Sequence, residues 1–391
     1  MISVIEEYFN KIRTPKQARK LFPVTKDIIY LDSAHYSHYS LEARRRLIEA
    51  IDGFTYNNDN LSLVNFQTAE RVREKCARLI HSDTEDVFIS SNTTHGLNVF
   101  VNGIDLKAGD KVAFADSEFP AVVYPWLNLE KLKGIKCVYI PSDNGKIKLE
   151  DIERTISENE IKVLTISSVE FLGFRNDLKA IRKICTDNNC LMVVDAIQNI
   201  GACPIYVDEI GMDFLSAGSQ KWMMSPAGVG FAYINPAIKH RVSPTYLSTV
   251  NIKYDFTNFL DYKLNYVDSA VIYENSTLNV LGMIGLEAAI ELFLNIGLEN
   301  IFTHILSLQD ILIRELEGTN YEVVSDLTPL NRSNILIFSH RDRSRNDEIQ
   351  KALVSKKIFI ALREGFLRLS PHLFNNEEEV KKLVEELIKI E

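Results

Sequence analysis

Cysteine is scarce and unpatterned: positions 76, 137, 185, 190 and 203 form no CxxC pair. That excludes a disulfide framework and gives no zinc site. A reducing compartment, the cytoplasm, is the expectation. Basic runs are missing as well. With a net charge of −9, the charge balance argues against nucleic acid as a partner. No apolar run approaches the roughly 20 residues that cross a bilayer, so no membrane role is expected. The first twenty residues are mixed in charge and hold no apolar signal core. There is no low-complexity tract and no internal repeat. What is present is 46% hydrophobic and 25% charged, over 391 residues. That suits a globular chain long enough for two domains and a large core.

Short apolar runs alternate with helical patterns. Ile28–Leu31, Val87–Ile89, Lys111–Ala115, 135–141 and 161–171 read as strands. Leu41–Phe54, 66–80, 176–190, Leu278–Leu294 and Leu298–Leu316 read as helices. Such alternation predicts an α/β fold with a mostly parallel sheet covered by helices. Segments near 321–325, 333–340 and 357–372, with a final amphipathic helix, predict a smaller C-terminal α+β domain. The expected organisation is an N-terminal arm over 1–29, a large domain over 30–260 and a small domain over 261–391.

The most informative stretch runs from Leu191 to Ile234. Leu191–Val194 ends in Asp195, and Gln198 follows. Phe214 and Leu215 lead into "SAGSQ", then Lys221, then a glycine-bearing turn before Phe231–Ile234. Ligands of covered sheets sit at the carboxyl ends of strands. One acid and one lysine at such ends suggest pyridoxal phosphate (PLP). A desolvated amine loses its proton easily and forms a Schiff base with an aldehyde. A carboxylate opposite a pyridine nitrogen keeps that nitrogen protonated. Upstream, "SSNTTHG" places Thr93 and Thr94 at a helix start, where free N–H groups suit the cofactor phosphate.

The ordered set Asp195, Gln198, Ser219, Gln220, Lys221, Gly228 and Gly230 resembles the lysine region of the class V aminotransferase family, which are fold type I PLP enzymes. That family includes alanine–glyoxylate aminotransferase, cysteine desulfurases, kynureninase and isopenicillin-N epimerase. The resemblance runs from about Tyr30 to the C-terminus. It implies that Lys221 and Asp195 are catalytic and that Gln198 bonds the ring's 3′-oxygen. Gln220, with Ser219 beside it, joins Thr93 and Thr94 around the phosphate. Phe119 matches the residue that stacks on the ring, and flat apolar contact suffices for that. Thr277, in "YENSTLN", matches the threonine that reaches the neighbouring subunit's phosphate, which implies a homodimer with shared sites. Arg368 matches the arginine that clamps the substrate's α-carboxylate, with Arg363 a second candidate. His35 and Tyr36 lie in a loop that faces substrate in the family.

Two departures bear on the reaction. Desulfurases carry histidine where Phe119 stands, and a loop cysteine just before the C-terminal arginine. The corresponding stretch here, "SKKIFIALREGFLRLS", holds no cysteine. Persulfide formation needs that thiolate. The expected reaction is therefore transamination on the α-amine of a small amino acid, through a Lys221 Schiff base. A C–S or C–C lyase, or an epimerase, is the alternative. At 168–171, where related enzymes commonly have asparagine, Glu170 and Phe171 stand instead.

Overall fold

A computed structural model of the chain describes residues 2–57, 59–253, 258, 260 and 262–390. The apolar runs assemble into one seven-stranded sheet: β1 (Val87–Ser90), β2 (Lys111–Ala115), β3 (Lys136–Ile140), β4 (Ile161–Ser167), β5 (Leu191–Asp195), β6 (Phe214–Gly218) and β7 (Gly230–Ile234). Their order is β1-β7-β6-β5-β4-β2-β3. β7 is antiparallel to both its neighbours, and the other pairings are parallel. Strands β1 to β6 therefore share one direction and end along one edge. Successive side chains alternate between two cores. Met192 and Val194 enter one cluster, while Leu191 and Val193 enter the other.

Helices cover both faces: α1 (Leu41–Tyr56), α2 (Leu61–Ile80), α3 (Thr93–Gly103), α4 (Pro120–Lys133), α5 (Leu149–Asn159), α6 (Leu178–Asp187) and α7 (Val280–Ile296). Asn60, Asn92, Asp177 and Asn279 cap four of them with side-chain oxygens. These caps explain two boundary shifts from the sequence reading. Helix α2 begins at Leu61 rather than 66 because Asn60 accepts from Leu63 N at 3.0 Å. Helix α6 begins at Leu178 because Asp177 accepts from Ala180 N. The strand expected over 161–171 stops at Ser167, after which Gly173 N donates to Glu170 O in a turn. Ile29–Tyr30 is a strand but does not join the main sheet. It pairs in parallel with Ile358–Phe359.

A second sheet, β8 (Tyr321–Val323), β9 (Leu336–His340), β10 (Ala361–Arg363) and β11 (Phe366–Leu369), is antiparallel in the order β8-β9-β11-β10. Helices α8 (Leu298–Glu315), α9 (Asn346–Ser355) and α10 (Glu377–Ile390) pack on it through Leu312, Leu353 and Leu383. In the tyrosine-rich stretch after Ile234, residues 254–257, 259 and 261 lie outside the described residues, and so does one side of the boundary expected at 260/261. Among the described residues, no single helix is long and apolar enough to cross a membrane.

A buried ion pair ties α2 to the segment before α7. Arg73 Nη1 meets Glu274 Oε1 at 2.9 Å, and Ile89 N of β1 donates to the same oxygen at 2.8 Å. Both side chains are buried. Glu274→Ala leaves the buried Arg73 with only the exposed Glu70, 2.7 Å from its Nη2, and frees Ile89 N, and we expect it to cost about 2–4 kcal/mol of stability in denaturant unfolding. A loss under about 1 kcal/mol would show that Glu70 or water suffices for Arg73.

Candidate active site

Strand ends bring the site together. Asp195 closes β5, where Ser168 N donates to its carbonyl at 2.8 Å. Its carboxylate is buried and accepts from Ile197 N at 2.9 Å. Burial raises it to about 6, against the opposing pulls of the Ile197 N–H and Lys221. Beyond β6 the chain turns, and Lys221 emerges half-buried. Its backbone is anchored through the next residue along the chain. Trp222 is fully buried, and its Nε1 donates to Gln198 Oε1 at 2.9 Å. The Trp222 carbonyl lies 2.7 Å from His372 Nε2. Gly201, at φ +102°, lets another stretch of chain pass there, since a Cβ would sit 2.4 Å from that carbonyl.

Loss of hydration lowers the Lys221 amine to about 8; Arg368 and Arg363 add to this, and Asp195 and Asp32 oppose it. Its Nζ lies 5.6 Å from the centroid of the Phe119 ring. Phe119 follows β2 and is 49% exposed, so it faces the cavity rather than the core. The cavity holds about 1080 Å³. Thr93, Thr94, Phe119, Asp195, Gln198, Gln220 and Lys221 all line it, as do His35 and Arg368.

Local bonding refines several expectations. The N-cap of α3 is Asn92, whose Oδ1 accepts from His95 N at 2.8 Å. Thr93 and Thr94 are thus the first two helical residues. Thr93 Oγ1 accepts from Gly218 N at 2.8 Å, which fastens this helix start to β6. Ser219, expected beside the phosphate, is turned away: its hydroxyl donates to Val229 O at 2.8 Å, inside the turn. Thr277 is exposed, lies outside the cavity, and holds φ +54°. Arg368 is buried, with Nη2 3.3 Å from Asp32 Oδ1 and Nη1 donating to Phe171 O at 3.2 Å.

Three buried acids crowd the end of β4. Glu118 accepts from Ser167 N and Ser167 Oγ, each at 2.6 Å, and burial raises it to about 7. Glu170 accepts from Asn176 Nδ2 at 2.8 Å. Burial, with Glu118 and Asp195 nearby, pushes it well above the usual carboxylate range. That shift favours the protonated carboxyl, which can donate as well as accept a hydrogen bond.

His95 and Tyr246, which the sequence reading passed over, also line the cavity, their rings 5.5 Å apart. Burial lowers His95 below the ordinary imidazole value, which favours its neutral form. Its place one residue after the threonine pair was the available signal. Tyr246 had none, coming from the irregular stretch after Ile234.

The residues fit PLP. A partly dehydrated amine, a buried acid, a flat ring and an open helix start converge on one cavity. Two buried polar atoms in it, Gln220 Oε1 and His95 Nε2, have no partner in the protein. Half a turn of the Gln220 amide presents its N–H donors to an anion instead.

The model of the family described as "Aminotransferase class-V" matches residues 29–383. A protein of Halalkalibacterium halodurans named "Probable cysteine desulfurase" is 29% identical, covering 95% of this chain and 97% of its own length. The "Uncharacterized aminotransferase YcbU" of Bacillus subtilis is 25% identical, with the same coverage. Among solved structures, a lysine-to-alanine mutant of C-DES with glycine covalently linked to its PLP cofactor superposes with a TM-score of 0.87. It is 19% identical and covers 95% of this chain and 98% of its own. That likeness is one of fold.

Proposed function

The chain belongs to the aminotransferase class-V family and is a PLP-dependent enzyme, and on that premise we propose that it cleaves the Cβ–S bond of a cysteine-type amino acid. PLP, when bound, supplies an electron sink conjugated to the substrate's α-carbon. Lys221 carries it and then takes the α-proton. Asp195 keeps a proton on the ring nitrogen, Gln198 bonds the 3′-oxygen and Phe119 covers one face. The start of α3, with Thr93, Thr94 and Gln220, receives the phosphate. Arg368 clamps the α-carboxylate, and His35 borders the substrate. Thr277 of a second copy completes the phosphate site, so the working unit is a homodimer.

The observation that narrows the reaction is the missing thiol. Among the described residues no cysteine lines the cavity. Burial pushes the Cys203 thiol up to about 11, and that of Cys137 to about 12. This rules against a persulfide relay, which needs a reactive thiolate. It does not rule against C–S cleavage. Lys221 removes the α-proton, the sulfur leaves Cβ with the bonding pair, and water then yields pyruvate and ammonia. The desulfurase name of the H. halodurans relative favours this outcome over the transamination that the sequence suggested. The aminotransferase name of the B. subtilis relative keeps transamination as a second reading.

Incubation with L-cysteine and S-alkylcysteines, with no added keto acid, separates the two. Pyruvate and free thiol formed over many turnovers carry the lyase reading. One equivalent of keto acid per site, with pyridoxamine phosphate left on the protein, sinks it in favour of transamination.

A further inference from the structure

Two guanidinium groups face the cavity from the C-terminal sheet. In the hairpin of β10 and β11, Ala361 pairs with Arg368 and Arg363 with Phe366. Side chains alternate along a strand, so Arg363 shares the face of Ala361 and therefore of Arg368. Diagonal neighbours of this kind stand about 7–8 Å apart. Both arginines line the cavity that holds Lys221.

Their surroundings differ. Arg368 is buried and already has Asp32. Arg363 is half-buried, and its Nη1 donates only to the neighbouring Leu362 O, at 2.9 Å. Among the described residues it has no carboxylate within ion-pair distance. Glu364 lines the cavity as well but makes no such pair with it. A partly desolvated guanidinium without an anion is unfavourable, and its planar fork matches a carboxylate. The α-carboxylate belongs to the deeper Arg368. A diagonal strand neighbour is placed for an anion several bonds further along the substrate.

We propose that Arg363 reads a second anionic group, so that the site takes amino acids whose side chain ends in a carboxylate or a similar anion. The inference rests on the reading that Lys221 and Arg368 receive an amino acid. It adds which class.

The test titrates the PLP-loaded enzyme with matched pairs differing only in that charge: S-carboxymethylcysteine against S-carbamoylmethylcysteine, and glutamate against glutamine. The change in cofactor absorbance reports each Kd. In at least one pair the acid is expected to bind at least about tenfold tighter than its amide. Arg363→Gln closes that gap, and Arg363→Lys, which keeps the charge, retains part of it. Equal affinity within both pairs, or an acid preference that survives in R363Q, overturns the proposal. If no amino acid perturbs the absorbance, the proposal falls with the reading beneath it; if the amides bind as well as the acids, only the proposal falls.

Discussion

Lys221→Ala is expected to lower turnover by about 10⁴-fold or more and to leave PLP held without a covalent bond. Positioned acid–base groups alone contribute about 10²–10⁴-fold, and the covalent role adds to that. The visible absorbance band of the wild type should be lost while the thermal unfolding of the cofactor-free protein stays close to normal. A retained band would show that another amine holds the cofactor. The lowered amine adds a pH test on the wild type. Only the neutral amine attacks an aldehyde. At about 8 instead of 10.5, roughly a tenth of Lys221 is neutral at pH 7, against about 0.03% for an ordinary lysine. The rate at which the cofactor-free protein takes up PLP should therefore rise tenfold per pH unit below about 8 and level off above it. A rise that continues to pH 10 would show that the amine is solvated.

Asp195→Asn is the second large effect. The amide oxygen can still accept from Ile197 N, so the end of β5 keeps its shape, while the charge is gone. Electrostatic groups of this kind are worth about 10²–10³-fold in turnover when removed. PLP should still bind, with an altered absorbance spectrum and turnover reduced by that factor. Activity within tenfold of the wild type would mean that Asp195 does not govern the ring nitrogen. The acid's unliganded value of about 6 sets the sign with pH: below it, Asp195 is increasingly protonated and its pull on a pyridinium weakens.

Much of the sheet was legible because β5 and β7 are near-continuous apolar runs and β6 opens on Phe214 and Leu215, and such runs announce burial on both faces. Asp195 and Lys221 stood out because each breaks such a pattern at a strand end. Other features depend on pairings far apart in sequence. The antiparallel entry of β7 between β6 and β1 has no local signal, and neither does the pairing of Ile29–Tyr30 with Ile358–Phe359. Ser219 sits amid site residues in sequence, yet a turn of backbone sends its hydroxyl to Val229 O. Arg363 and Arg368 looked like unequal candidates along the chain. The hairpin register puts them side by side on one face.

The clamp on Trp222 has an outcome for how the molecule moves. Its carbonyl rests against His372, four positions past Arg368 in the chain. The guanidinium proposed to receive a substrate's carboxylate and the imidazole at the Trp222 carbonyl are thus only four residues apart in one non-helical segment. A displacement at His372 would bear on the Trp222 carbonyl, one residue from the amine-bearing Lys221.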